Sequence, residues 1–106
     1  MSASQYSLYI VRCVDNSLYT GIALDVGKRL QEHETGIRGA KFLRGKGPLH
    51  LVFEQPIGDR SLATRLEHRV KRLGRQQKEA LVNGDYSLAG LLQELINEND
   101  QASGGS

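Results

Sequence analysis

The 106-residue chain has a single cysteine, no tryptophan and only two prolines. Cys13 has no second cysteine to pair with, which excludes an intrachain disulfide and favours a reducing compartment. No apolar run approaches the roughly 20 residues that cross a bilayer, and we expect no signal peptide because no apolar leader is present. We therefore expect a cytoplasmic protein with no membrane partner. Cys13 lies within a strand-like run, so we interpret it as a small core residue rather than a nucleophile.

Several familiar functional motifs are also missing. The sequence contains no P-loop, no dinucleotide-binding glycine motif and no Gly-x-Ser-x-Gly. The three histidines do not occur at His-x-x-x-His spacing, and one cysteine cannot form a Cys-x-x-Cys pair. These absences argue against nucleotide-binding, serine-hydrolase and zinc-binding proteins of the common types.

Charge is unevenly distributed along the chain. All 14 lysines and arginines lie in residues 1–78 with seven acids, a net +7, whereas residues 79–106 have five acids and no lysine or arginine, a net −5. The segment between Thr35 and Phe53 contains four basic residues and no acid. A basic body attracts polyanions such as nucleic acids. A solvated cationic surface without a ligand is the alternative explanation.

Hydrophobic and turn patterns predict one α+β domain over residues 1–96, followed by a disordered polar tail at 97–106. The predicted order is β-β-α-β-α-α-α, a small sheet covered by helices. The predicted strands are Leu8–Cys13, Leu18–Ala23 and Leu49–Gln55, the last ended by Pro56 and Gly58. The predicted helices are Val26–Thr35, a helix from Asp59 or Ser61 to Leu73, Gln76–Val82, and residues 87–96.

The first two strands are expected to form a hairpin around residues 15–17. Because side chains alternate along a strand, a loop with an odd number of residues puts Tyr9 and Tyr19 on one face. A three-residue loop with Asn16 in the left-handed region fits this requirement. Gly21 shares that face, and its missing side chain is interpreted as room for a phosphate. Sheet tyrosines usually serve packing, but a phenol beside a cation can also relay a proton.

The helix that follows carries Arg29 and His33 one turn apart. A guanidinium suits bidentate contact with phosphate and can stabilise a phosphoryl transition state, although on a helix surface it is often only a solvated charge. We expect Arg29 to make the phenolate of a nearby tyrosine more accessible. His33 fits three roles: a general acid, a phosphate contact or a core histidine.

Glu67 is the only acid from Arg60 to Lys78, a segment with seven basic residues. It lies at the edge of an apolar helical stripe, so its carboxylate needs a cation. One interpretation is a salt bridge to a nearby arginine or lysine. The other is a ligand for a hard divalent cation, since Mg²⁺ is often held by one or two carboxylates while water and phosphate oxygens complete its shell.

Taken in order, these residues resemble the GIY-YIG endonuclease domain, and most closely its small single-domain, YhbQ-like UPF0213 group. The two triplets that name the family correspond to Ser7-Leu8-Tyr9 and Tyr19-Thr20-Gly21, and the resemblance covers about residues 5–83. The first triplet lacks its glycine and the second its isoleucine. Neither missing side chain is catalytic in the family, so the chemistry can survive both changes.

The resemblance implies a three-stranded antiparallel sheet flanked by helices, and hydrolysis of phosphodiesters with one divalent cation, Mg²⁺ or Mn²⁺. The catalytic residues that it implies are Tyr9, Tyr19, Arg29, His33 and Glu67. Tyr9 would be the general base or would activate the metal-bound water. Tyr19 would bind or orient phosphate and water, and Arg29 would stabilise the phosphorane. His33 would assist as acid or base, and Glu67 would hold the metal.

No separate DNA-binding domain accompanies the resemblance. Contacts with the nucleic acid would then come from Lys28 and from a basic, glycine-rich loop that carries Arg38, Lys41, Arg44 and Lys46.

Three functions are compatible with these observations. The leading hypothesis is a metal-dependent endonuclease acting on DNA in branched, nicked or single-stranded form, in repair or recombination. The second is a non-catalytic nucleic-acid-binding module, which keeps the basic body and dispenses with the metal. The third is a protein-interaction domain that uses the apolar face of the last helix. The oligomeric state is left open.

Overall fold

The computed structural model of the chain describes residues 5–35 and 48–104. Three strands and four helices follow in the order β1 (Tyr6–Arg12), β2 (Leu18–Ala23), α1 (Val26–Thr35), β3 (His50–Gly58), α2 (Arg60–Lys71), α3 (Arg75–Asn83) and α4 (Ala89–Gly104). The sheet is antiparallel with strand order β2-β1-β3. The expected α+β class and element order are confirmed. In the part of the chain so described, no helix is both long and apolar enough to span a membrane.

The turn between β1 and β2 has the expected type but begins one residue early. The amide of Asn16 donates to the Cys13 carbonyl at 2.8 Å, and the amide of Cys13 donates to the Ser17 carbonyl at 2.9 Å. The three-residue loop is therefore Val14-Asp15-Asn16 rather than residues 15–17. Asn16 adopts the left-handed conformation, with φ of 71°, as the sequence predicts.

The register of the hairpin brings the two tyrosines to one face of the sheet. Val11 pairs with Tyr19, and Tyr9 pairs with Gly21. A Cβ atom at Gly21 would lie 2.6 Å from the Tyr9 hydroxyl oxygen. The space above Gly21 therefore belongs to the Tyr9 side chain, and our interpretation of it as room for a phosphate is wrong.

The third strand is longer than its sequence indicates. β3 continues through Pro56 to Gly58, where we predicted that both residues would end it. Because β3 is an edge strand, half of its N–H groups face away from the sheet, and a proline is tolerated there. The register also shifts between Tyr6 and Ser7, opposite this end of β3.

Both faces of the sheet are covered. On one face, β1 packs on α2, α3 and α4 through Leu8, Ile10, Leu66, Val70, Leu81, Leu88 and Leu95. On the other face, the buried residues are Tyr9, Val11, Cys13, Ala23, Val26 and Leu49. Cys13 is a buried free thiol in this second cluster, as expected for a small core residue. The α1 helix lies over the same face through Val26 and Leu30.

The last helix does not end where its apolar pattern ends. We predicted its end at Ile96 and a disordered tail from residue 97, but α4 runs to Gly104. The Arg69 guanidinium lies 3.2 Å from Glu94 and 2.5 Å from Glu98, and Arg65 lies 3.5 Å from Glu98. These ion pairs hold the polar continuation of α4 against α2, which hydrophobic periodicity cannot reveal.

One carboxylate ties α3 to the β-hairpin. Arg12 donates to both oxygens of Glu79, at 2.9 and 2.7 Å. Arg75 donates to the same carboxylate at 2.9 Å and to the Asn16 carbonyl at 2.7 Å. The hydrogen bonds from Arg12, with those from Arg75, lower the pKa of Glu79 to about 2. The carboxylate therefore stays ionised through mildly acid conditions.

The low pKa of Glu79 predicts a stability contribution that depends on pH. Its ordinary pKa is 4.5, so the contribution is fully present above that value and is lost as pH falls towards 2. We expect Glu79→Gln to lower Tm by a few degrees at pH 7 and to flatten the fall of Tm below pH 5. Circular dichroism melts between pH 2 and 7 measure this. Glu54→Gln, at an exposed carboxylate on β3, is the control; identical pH profiles for the Glu79 variant and wild type would contradict the assignment.

The close approach of Tyr9 to Gly21 predicts that Gly21→Ala destabilises the fold. Tyr9 is 1% exposed and cannot swing into solvent, so we expect a loss of about 1–3 kcal/mol in unfolding free energy. Urea denaturation measures it. Gly90→Ala is the matched control, because nothing lies within 4 Å of a Cβ there and alanine favours the helix. Wild-type stability of Gly21→Ala would show that the packing is not tight.

Candidate active site

Three rings from three different elements meet at one face of the sheet. The ring centroids of Tyr9 and Tyr19 lie 6.4 Å apart, and those of Tyr9 and His33 lie 6.3 Å apart. Tyr19 and His33 approach edge to face, at 5.7 Å with an interplanar angle of 73°. These separations are typical of favourable aromatic contacts. The structure therefore brings together three side chains that are 10 to 24 positions apart in sequence.

A hydrogen bond joins two of the rings. The Tyr9 hydroxyl lies 3.0 Å from Nε2 of His33, and the two residues are only 1% and 4% exposed. Burial, followed by the charge of Arg29, lowers the pKa of His33 below its ordinary 6.5. The imidazole is therefore neutral at pH 7, and Nε2 can accept the phenol proton when Nδ1 carries the ring hydrogen. A buried position of this kind disfavours direct contact between His33 and a phosphate.

The phenol of Tyr9 is less acidic than expected. Burial first, and the neighbouring Tyr19 second, raise the pKa of Tyr9 to about 12. Arg29 opposes this rise through its charge and a hydrogen bond, and the negative charge of Glu67 adds to it. Arg29 thus lowers the Tyr9 pKa, as expected, but burial outweighs it, and on balance the phenolate is less accessible than in a free tyrosine. At neutral pH the Tyr9 phenol keeps its proton. It can therefore accept a second proton only if a neighbouring base takes its own.

The α1 helix positions Arg29. Asp25 caps the helix by accepting a hydrogen bond from the Lys28 amide at 3.1 Å. The Arg29 guanidinium donates to Glu32 at 2.8 Å, and its side chain is 32% exposed. Glu32 was missed in the sequence analysis, although its i, i+3 spacing from Arg29 was a usable signal. Its carboxylate orients one side of the guanidinium fork and leaves the cation near solvent.

An open groove of about 320 Å³ lies beside Arg29, where β2 ends and α1 begins. Its apolar wall includes Ile22 and Leu24, and its charged wall includes Lys28, Arg29 and Glu32. Lys28 is exposed. Two of the predicted phosphate-binding cations thus line one surface groove, and an extended polyanion can reach both.

The α2 helix contributes Glu67, together with a residue that the sequence analysis missed. The Glu67 side chain is 16% exposed, and its carboxylate lies 3.3 Å from the ammonium of Lys71, one helical turn later. The same ammonium lies 5.9 Å from the centroid of the Tyr19 ring. The salt-bridge interpretation of Glu67 is thus observed, and Glu67 also adjoins the aromatic cluster. The i, i+4 spacing from Glu67 could have identified Lys71.

The donor set fits an open metal site and not a closed one. Within residues 5–35 and 48–104, no three His, Cys, Asp or Glu side chains converge as metal ligands. Glu67 offers hard carboxylate oxygens that are partly accessible. One such ligand is sufficient for Mg²⁺ when phosphate and water oxygens complete the octahedron. Mg²⁺ or Mn²⁺ is therefore compatible with Glu67, provided that substrate shares the binding.

Four residues expected to contact nucleic acid lie outside the described part of the chain. They are Arg38, Lys41, Arg44 and Lys46. Their role stays a prediction.

Comparison with known proteins agrees with the geometry. Residues 5–80 match the family model of the GIY-YIG catalytic domain. The chain is 57% identical over 88 residues to the UPF0213 protein Ent638_3592 of Enterobacter sp. (strain 638), covering 83% of this chain and 85% of that protein. It is equally identical over 88 residues to the UPF0213 protein YhbQ of Escherichia coli (strain K12), covering 83% and 87%.

A solved structure shares the fold. The solution NMR structure of the protein EF2693 from E. faecalis aligns with a TM-score of 0.55 at 32% identity, over 78% of this chain and 88% of that chain. The family model covers most of the chain, including both strands of the hairpin and the helices that carry Arg29 and Glu67. The chain therefore belongs to the GIY-YIG catalytic domain family, a family of nucleases, and to its UPF0213 group.

Proposed function

We propose that the protein is an endonuclease that hydrolyses phosphodiester bonds in DNA with the help of Mg²⁺ or Mn²⁺. The observation that carries the proposal is the buried Tyr9–His33 hydrogen bond, which lies in one cluster with Arg29 and Glu67. A protonated phenol beside a neutral imidazole is a proton-transfer pair. The Arg29 guanidinium, a cation suited to binding phosphate, lies close to this pair.

The proton pair supplies the general base. A phenol whose pKa is about 12 is a proton donor at neutral pH and cannot accept a second proton unaided. His33 accepts the phenol proton at Nε2 while Tyr9 takes one from the attacking water, so that the oxygen reaching phosphorus carries hydroxide character. Tyr9 is 1% exposed, so this step requires that the attacking water reach the hydroxyl when substrate is bound.

The cations of α1 meet the developing negative charge. The Arg29 guanidinium cannot lose its proton, and the bond to Glu32 raises its pKa further. The planar guanidinium stabilises the extra charge that the phosphorane acquires in the transition state. Lys28 lines the same groove and neutralises a neighbouring phosphate of the strand. The hydroxyl of half-buried Tyr19 orients the reacting phosphate and water.

Glu67 is the residue that would hold the divalent cation. When bound, the cation supplies Lewis-acid stabilisation of charge on the phosphate oxygens. The carboxylate is 16% exposed at the rim of the ring cluster, which leaves it accessible to an ion that arrives with a substrate. DNA in branched, nicked or single-stranded form is the proposed substrate, with repair or recombination as the setting.

A non-catalytic nucleic-acid-binding module is the second candidate. The Glu67–Lys71 ion pair favours it, because the carboxylate is satisfied without a metal. The basic residues and the open groove would then bind a phosphate backbone without cutting it. Activity of the purified protein distinguishes the two functions.

We expect Tyr9→Phe and Glu67→Gln each to lower the rate of DNA cleavage by about 100-fold or more. Tyr9→Phe removes the hydroxyl that transfers the proton, and Glu67→Gln removes the metal-binding charge. Fluorescent branched, nicked, single-stranded and duplex oligonucleotides with Mg²⁺ or Mn²⁺ measure the rate, and EDTA should abolish it. Tyr86→Phe and Glu94→Gln are matched controls, since Tyr86 packs in the other core cluster and Glu94, on α4, pairs with Arg69. Wild-type rates in both site variants would refute the assignment, and an inactive wild type would favour the binding module.

A quadruple alanine variant tests the basic loop that includes Arg38, Lys41, Arg44 and Lys46. Made in the Glu67→Gln background, it should bind DNA more weakly. The plot of log K against log[salt] should also become less steep by about 3, because the variant loses four phosphate contacts and therefore releases fewer counterions on binding. Fluorescence anisotropy at several salt concentrations measures both quantities. Replacing the two arginines by lysine keeps the charge and should leave the slope unchanged. An unchanged slope in the alanine variant would place nucleic-acid binding elsewhere.

A further inference from the structure

We infer that Lys71 is a built-in counter-ion of Glu67. Its ammonium pairs with the Glu67 carboxylate in the absence of metal and competes with a divalent cation for that carboxylate. The inference rests on the proposed metal role of Glu67. It assigns a positioning role in the metal site to a residue that the sequence analysis did not include.

The ion pair is placed where competition matters. Lys71 follows Glu67 by one turn of α2, and the ammonium lies 3.3 Å from the carboxylate. The Glu67 side chain is 16% exposed and that of Lys71 is 48% exposed. A partly desolvated carboxylate attracts its cation more strongly than a fully exposed one. A divalent ion arriving at Glu67 would sit within a few ångströms of a like charge, so the ammonium has to move away or weaken its binding.

Lys71 has a second contact within the site while it is paired with Glu67. Its ammonium lies 5.9 Å from the centroid of the Tyr19 ring, within the range of a cation–π interaction. A lysine displaced from Glu67 can therefore remain over Tyr19, next to the proposed position of the reacting phosphate. There the ammonium would gain a phosphate oxygen as its new partner.

The residue type suits an exchangeable contact. Lysine is a point charge on a flexible stem and makes no bidentate fork. Arg12, by contrast, holds Glu79 through two parallel hydrogen bonds at 2.9 and 2.7 Å. The Glu79 carboxylate is fixed by this geometry, whereas the Glu67 carboxylate is held by a contact that can be released.

The test measures metal binding without nucleic acid and without activity. Titration of Mn²⁺, followed by the electron paramagnetic resonance signal of the free ion, gives a dissociation constant for each variant. We expect Lys71→Met, which keeps an unbranched stem and removes the charge, to lower the Kd roughly three- to tenfold by removing the repulsion. Lys71→Arg keeps the charge and adds a bidentate fork, so it should raise the Kd or leave it unchanged, and should not lower it. Lys78→Met, on α3, should leave the Kd unchanged.

A titration of the double variant separates the possible outcomes. In a Glu67→Gln background, Lys71→Met should have no effect, because the carboxylate for which the two cations compete is gone. If wild type binds Mn²⁺ through Glu67 and Lys71→Met binds it no more tightly, the inference is overturned and the proposed nuclease function still stands. If neither wild type nor Lys71→Met binds Mn²⁺ in a way that Glu67→Gln removes, both the inference and the metal role of Glu67 fail.

Discussion

A three-residue turn sets the position of the groups that form the site. The left-handed backbone at Asn16 closes a loop with an odd number of residues, so the alternation of β1 continues in phase into β2. Tyr9 and Tyr19 share a face for this reason alone, and Tyr9 then faces a glycine. A loop one residue longer would move one phenol to the opposite face, onto α2 to α4. The Glu79 ion pairs hold the turn in place through Arg12 and Arg75.

Burial, more than neighbouring charge, determines the protonation states inside the site. Burial raises the pKa of Tyr9 and lowers that of His33, so both groups are held in their neutral forms. Arg29 acts on the same two groups, but its effect on Tyr9 is smaller than that of burial. The site therefore separates a neutral proton-transfer pair from a charged rim of Arg29, Glu67 and Lys71. That separation is compatible with the proposed reaction, in which a proton moves within the buried pair while a phosphate binds at the charged rim.

Much of the fold could be predicted because its signals are local. α1 begins at Val26 as predicted, Asp59 caps α2 at one of the two predicted starts, and Asn16 adopts the conformation that its side chain tolerates. The errors have tertiary causes. Pro56 is accepted in β3 only because that strand lies at an edge, and the end of α4 is held by arginines on another helix.

The candidate site shows the same division between local and tertiary information. The ordered set of residues was visible in sequence, and two charged partners, Glu32 and Lys71, were missed although both occur at helical spacings. The pKa of Tyr9 could not be read from sequence, since its direction depends on how deeply the hairpin is covered by the rest of the fold.

The ion pairs between α2 and α4 offset part of the positive charge of α2. Arg65 and Arg69 lie on the α2 face opposite Glu67, and their charges are offset by Glu94 and Glu98. An approaching phosphate backbone is therefore attracted less to that rear surface than the arginine content of α2 suggests. The groove at the start of α1 is lined by two cations, Lys28 and Arg29, and by two acids, Asp25 and Glu32. For the proposed DNA ligand, arginines already paired with Glu94 and Glu98 add little to long-range attraction, so capture depends on the cations that remain outside these pairs.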